Sequence, residues 1–112
     1  MASANELELA VQPLPGHSEV VRVNGELDLA NVSKLEQTLA RSGSGGVLVV
    51  DLTDCSFLDS SAVRVLLEAA ATREGDGRRL ALVAPQGGVR RTLEIAGFDT
   101  MMALHATLAD AL

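Results

Sequence analysis

Aromatic and basic side chains are scarce in this sequence. It has no Trp, no Tyr and two Phe, and its 9 Lys and Arg are outnumbered by 15 Asp and Glu, for a net charge of −6. A nucleic-acid binder needs a basic surface and usually rings on which bases stack, so that class is set aside. The single cysteine, Cys55, leaves no internal disulfide to form. No apolar run approaches the length of a membrane span. The opening Met1-Ala-Ser-Ala-Asn-Glu6 has neither the basic start nor the apolar centre of a secretory signal. The expectation is a soluble cytoplasmic protein that contacts neither nucleic acid nor membrane.

What is present is aliphatic. Apolar residues make up 47% of the 112 positions, so the core must be built from Val, Leu, Ile and Ala, a composition suited to a sheet covered by helices. The length fits one domain over residues 1–112, with residues 1–6 expected as a flexible N-terminus. Leu7, Leu9 and Val11 alternate with polar or small neighbours, and Val21 and Val23 resume that period after Pro15-Gly16-His17-Ser18, which predicts an antiparallel hairpin. After Asn31, a candidate N-cap, Val32, Leu35 and Leu39 recur at helical spacing, and Ser42-Gly-Ser-Gly-Gly46 ends that helix.

Val47-Leu-Val-Val50 is a continuous apolar run, as expected of a central strand buried on both faces. A second helix is predicted over Ala62 to Thr72, a second buried strand over Leu80 to Val83, and a third helix from Val89 to Ala96, stopped by Gly97. Met101 to Leu104 reads as a short edge strand and Thr107 to Leu112 as a last short helix. The fold class is therefore α/β: a mixed, mostly parallel sheet with helices packed against it. The element order is ββαβαβα followed by a short C-terminal strand and helix.

The informative stretch is Asp51-Leu-Thr-Asp-Cys-Ser-Phe-Leu-Asp-Ser-Ser-Ala-Val-Arg64, where a buried strand gives way to a helix at paired serines. Asp59 stands where an N-cap carboxylate accepts from the first amides of the helix. Ser60 and Ser61 occupy the first helical positions. Capping explains Asp59 and leaves room for a second role, because a helix start offers its amides and dipole to an anion, and a phosphoryl group adds about −1.5 to −2 charges there. Such a group would oppose a partner matched to a neutral serine, by like-charge repulsion beside Asp54 and Asp59 and by desolvation.

Other chemistries fail on missing residues. A thiolate phosphatase loop at Cys55 needs an arginine six positions on, where Ser61 stands. Cys55 reads as a small buried residue at the strand end. A serine hydrolase at Ser60 lacks the glycines of a nucleophile elbow and has only His17 and His105 as bases, one in a turn and one at a helix start. Gly87-Gly88 and the glycines at 43–46 lack the lysine of a phosphate-binding loop. Arg78-Arg79 and Arg90-Arg91 read as solvated faces. Neither a metal nor a cofactor is expected.

The segment Asp51 to Ala62 resembles the signature of the STAS family, in particular the bacterial anti-sigma factor antagonists. Val23-Asn-Gly-Glu-Leu-Asp28, Ala84-Pro85 with Val89-Arg-Arg-Thr-Leu93, and Ala96-Gly97-Phe98 agree with that family in order and spacing, so the resemblance runs from about Leu7 to Leu112. It implies a non-enzymatic protein whose unphosphorylated form binds an anti-sigma factor with serine kinase activity and releases the sigma factor. It also implies that phosphorylation at Ser60 abolishes this binding and that a serine phosphatase restores it. The alternative is a STAS scaffold that is never phosphorylated, an accessory module of a transporter or of a stress-signalling complex. Where the family commonly has glycine after the paired serines, this chain has Ala62.

Along the helix after the serines, Arg64, Glu68 and Thr72 form one polar stripe at four-residue spacing. Val63, Leu66, Leu67 and Ala70 suffice to dock it, which leaves Ala62, Val65 and Ala69 either covered by a neighbouring helix or exposed to a partner. Asp28 either meets the partner or caps the helix that follows it. The expected partner-binding set is Asp28, Asp59, Ser61, Ala62 and Val65, with Ser60 as the phosphate acceptor.

Overall fold

The period-two pattern near the N-terminus folds as the expected hairpin. β1 (Leu7–Leu14) and β2 (Ser18–Leu27) pair antiparallel with Leu9 opposite Val23 and Val11 opposite Val21. The turn between them is a single 3-10 turn at Pro15–His17. The computed structural model describes residues 6–42 and 45–112. The flexible tail expected at 1–6 lies outside these residues except for Glu6, as do Gly43 and Ser44 of the glycine-rich stop.

The remaining strands add in parallel: β3 (Val47–Leu58) beside β2, β4 (Arg79–Val83) beside β3, and β5 (Leu104–His105) beside β4, giving the order β1-β2-β3-β4-β5. Between them run α1 (Val32–Arg41), α2 (Ser60–Gly75) and α3 (Gly88–Ile95). Strand order follows chain order from β2 to β5, and right-handed crossovers then bring all three helices to the same face of the sheet. The main core is the result. Leu35 and Leu39 of α1, Ala62 and Leu66 of α2 and Leu93 of α3 pack there on Val21, Val23, Leu48, Val50 and Leu82. On the opposite face Val20, Val49, Ala81 and Val83 are covered by the short α5 (Leu108–Ala111) through Leu108 and Ala111. Two-sided coverage explains why Val47–Val50 carries no polar alternation.

Three boundaries differ from the sequence expectation. β3 continues to Leu58, because Asn24 to Leu27 of β2 go on pairing with Asp54 to Leu58 across two bulges. α2 starts at Ser60 and ends at Gly75, wider at both ends than Ala62 to Thr72. The chain after Gly97 makes a turn of helix, α4 (Phe98–Met101), before β5, where an edge strand from Met101 was expected. Gly97 sits at φ 90°, a left-handed conformation that stops α3 and lets Phe98 turn inward, where it is fully buried. His105, expected at a helix start, is half-buried in β5.

Gly25 is the one strand residue whose identity the backbone dictates. It lies next to the second bulge with φ 116°, and a Cβ there would fall 2.5 Å from the Glu6 carbonyl oxygen. No other residue type fits that approach without moving β1.

Candidate functional site

In a parallel sheet the strands end where the following helices begin, so their loops gather at one edge. Here that edge brings together the β2–α1 loop and the start of α2. The loop lies against the end of the central strand: the Leu29 amide donates to Asp59 Oδ2 at 3.1 Å, and the Asp59 amide donates to the Leu27 carbonyl at 3.1 Å.

Asp59 is the N-cap of α2, in extended conformation. Its Oδ1 accepts from the amides of Ser61 at 3.0 Å and Ala62 at 3.1 Å, and from the Ser61 hydroxyl. One carboxylate therefore ties two segments of chain, the helix start through Oδ1 and the β2–α1 loop through Oδ2. Partial desolvation pushes its pKa up, but the hydrogen bonds from the Ser61 hydroxyl and from the amides of Ala62, Leu29 and Ser61 outweigh it and hold the carboxyl below the usual aspartate value.

The two serines are not equivalent. Ser61 is half-buried and its hydroxyl is committed to Asp59. Ser60 is exposed at the first position of α2, and among the described residues nothing engages its hydroxyl. The Ser60 hydroxyl is open to the surroundings while its neighbour holds the cap.

Asp28 is half-buried in the same loop, and its side chain does not cap the helix that follows. Its Oδ1 accepts from the Ala30 amide at 3.0 Å, an Asx-type turn inside the loop, while its carbonyl takes the Asn31 and Val32 amides. Asn31 precedes α1 as expected, yet its side chain makes no cap to the helix. It is buried, and instead accepts from the Asp28 amide at 3.0 Å and donates to the Glu26 carbonyl at 2.8 Å. The loop is thus internally rigid, with Leu29 at its tip 77% exposed.

One expected contact residue is corrected. Ala62 is wholly buried in the main core, so its side chain cannot meet a partner. Three residues past the cap the helix already faces the sheet, and α1 packs against α2. Val65 is half-buried against the core and, with Ala69, lines the groove between α1 and α2. Ala62 is covered, whereas Val65 and Ala69 are covered only in part. Arg64, Glu68 and Thr72 are exposed as expected.

Two arginines have roles that the sequence reading missed. Arg73, near the end of α2, is buried, and its guanidinium donates to the carbonyls of Leu39 and Ser42, capping the C-terminus of α1 with a cation. Arg90 is half-buried and donates to the carbonyls of Ala84 at 2.8 Å and Leu104 at 3.2 Å, fastening the end of β4 to β5, whereas Arg91 is exposed. The only advance signal was position near a helix end for Arg73, whose partners lie 34 and 31 residues away in sequence. Cys55 is buried, and burial pushes its thiol up, away from the thiolate a nucleophile requires. Among the described residues, no group of three or more His, Cys, Asp or Glu could hold a metal ion and no helix is long and apolar enough to cross a membrane.

An exposed serine beside a fully engaged cap, at the strand-end edge of this sheet, is the arrangement against which relatives can be compared. Residues 11–108 match the family described as Mlab, STAS domain. The chain belongs to the STAS family. A crystal structure of an anti-sigma factor antagonist from Mycobacterium paratuberculosis shares 28% identity with this STAS domain, covers 99% of it and 95% of its own length, and superposes with a TM-score of 0.88. The phosphorylated form of the Bacillus cell-fate determinant SpoIIAA shares 23% identity over 93% of this chain and 96% of its own, with a TM-score of 0.72. A murine Solute Carrier 26 anion transporter aligns 88% of this chain with only 19% of itself, at 18% identity and a TM-score of 0.67. This STAS domain accordingly has the fold of the anti-sigma factor antagonists, a fold also found within transporters.

The cap gives a first quantitative expectation. Asp59→Ala should destabilise the domain by about 0.5–2 kcal/mol at neutral pH, as for other N-cap removals. The folded carboxyl lies below its unfolded value, so its contribution is complete above the ordinary aspartate pKa and fades as pH falls through the folded one. The gap between wild type and variant in urea titrations should narrow on acidification. A gap that is constant across that range would show that the carboxylate charge contributes nothing.

Proposed function

We propose that this STAS domain is an anti-sigma factor antagonist switched by phosphorylation of Ser60. The unphosphorylated form binds an anti-sigma factor that carries serine kinase activity, and the sigma factor is released. The kinase transfers the γ-phosphoryl group of ATP to the Ser60 oxygen: a new O–P bond forms, the bond to ADP breaks, and the hydroxyl proton leaves to a base of the kinase. The product no longer binds, until a serine phosphatase hydrolyses the ester. In this reading the domain is cytoplasmic and has no catalytic residue of its own.

The observation that carries the proposal is the inequality of the two serines. Ser60 is exposed with its hydroxyl uncommitted among the described residues, and Ser61 is held by Asp59. Phosphate on Ser60 leaves the cap amides in place, so the modification alters the surface without unfolding α2. Asp59, the Asp28–Ala30 loop and the first turn of α2 form the partner face, with Ser61 in it as a cap rather than a contact.

Incubation with the cognate kinase and ATP, followed by intact mass, tests the reading. One phosphate should be gained by the wild type and by Ser61→Ala, and none by Ser60→Ala. A protein that binds the kinase yet gains no phosphate would instead be the scaffold or transporter-accessory module, the reading favoured by the structural likeness to a transporter segment.

A further inference from the structure

Asp59 does more than cap a helix, because its two oxygens serve different segments. Oδ1 holds the amides of Ser61 and Ala62, and Oδ2 holds the amide of Leu29, 30 residues earlier in the chain. The β2–α1 loop is braced internally by Ala30 on Asp28 Oδ1 and by Asp28 on Asn31 Oδ1. Its attachment at the tip is another matter. The Leu29 side chain is 77% exposed and adds little burial, which leaves the amide-to-carboxylate bond as the tie between the loop tip and α2.

A phosphate on Ser60 would be carried by the residue next to that carboxylate in the chain. It repels Oδ1 and Oδ2 electrostatically and competes with them for the Ser61 and Ala62 amides, the donors a helix start presents to any anion. Both effects draw on the same carboxylate that holds Leu29. We propose that Asp59 is a positioning residue that transmits the state of Ser60 to the Asp28–Ala30 loop: phosphate on Ser60 loosens the Leu29–Asp59 bond and releases the loop tip from α2. The modification then changes two parts of the partner face at once, the serine and a loop distant in sequence. This rests on Ser60 being the phosphate acceptor, as set out above.

The substitution Asp59→Asn separates latch from cap. Its amide oxygen can replace Oδ1 toward the helix, but its NH2 group cannot accept from Leu29 as Oδ2 does. The test uses the full chain with phosphoserine installed at position 60 by codon suppression, compared with wild type and Asp59→Asn by amide hydrogen exchange in NMR. Leu29 should exchange about tenfold faster in both altered proteins, the loss expected for one charge-assisted hydrogen bond, while Ala62 and Val63 keep wild-type protection. In the wild type the amide shifts of Leu29, Ser61 and Ala62 should titrate with one shared midpoint, absent in Asp59→Asn. Unchanged or slower exchange of Leu29 in the phosphoserine protein would overturn the latch. Neither measurement needs a kinase or partner, so its failure is distinct from a failure of Ser60 to be phosphorylated.

Discussion

Phosphoserine at position 60 is expected to weaken binding to the cognate anti-sigma factor by about a thousandfold to ten-thousandfold in isothermal titration calorimetry. A switch that takes a complex from mostly bound to mostly free needs about 5.5 kcal/mol. One exposed charge cannot supply that, since exposed pairs contribute at most about 1 kcal/mol. A dianion inside a close-packed contact can, because desolvation, steric exclusion and like-charge repulsion act together there, at several kcal/mol. The surroundings are already acidic: Asp59 and half-buried Asp28 lie at this edge, exposed Asp54 stands five residues back on β3, and the chain carries −6 overall. Ser60→Ala should bind like the unmodified protein, and Ser60→Asp, with less charge and bulk, should lose only about tenfold to a hundredfold. Salt discriminates the causes. Long-range repulsion is screened beyond about 10 Å at 0.1 M, so a loss that disappears in high salt would mean that Ser60 lies outside the footprint. Phosphoserine protein that binds as tightly as unmodified protein would remove the switch altogether.

The scaffold was more legible in the sequence than the site, for a physical reason. Burial patterns are periodic, so Leu7, Val21 and Val23 announced β1 and β2, and the unbroken Val47–Val50 announced a strand covered on both faces. The pattern failed where register slips. The continuous apolar run stops at Val50, yet β3 runs on through Thr53, Asp54 and Ser56, because two bulges let exposed polar residues follow one another without ending the pairing. At the site, Asp59 and Ser60 were readable as residue types at a strand-to-helix junction. The Leu29 tie was not, since a backbone amide leaves no mark in a sequence. Asn31 was misread in chemistry though not in place: it precedes α1, but its side chain is used to brace the loop behind it. Ala62 was open to two readings because a small apolar residue suits a contact patch and a tight helix–sheet approach equally, and only the position of α1 decides between them.

The two phenylalanines give the largest expected effect on stability and the sharpest internal control. Phe98 is wholly buried in the main core, at the point where Gly97 turns the chain from α3 into α4, while Phe57 on β3 is 49% exposed. Truncating a buried phenylalanine to alanine removes its transfer free energy and leaves a cavity, together about 3–5 kcal/mol. Domains of this size hold about 5–15 kcal/mol in all, so Phe98→Ala should bring the protein close to unfolding at physiological temperature. At roughly 4 °C or more per kcal/mol, the melting temperature should fall by at least about 12 °C in scanning calorimetry. Phe98→Leu refills most of the space and should recover the larger part of the loss. Phe57→Ala should cost about 1 kcal/mol or less, because much of that ring already meets water. Aromatic residues are so few here that the core has no second ring to repack into the gap at 98. Equal losses for the two variants would show that the C-terminal α3–α4 segment is not docked on the sheet, and with it that the main core does not extend past Leu93.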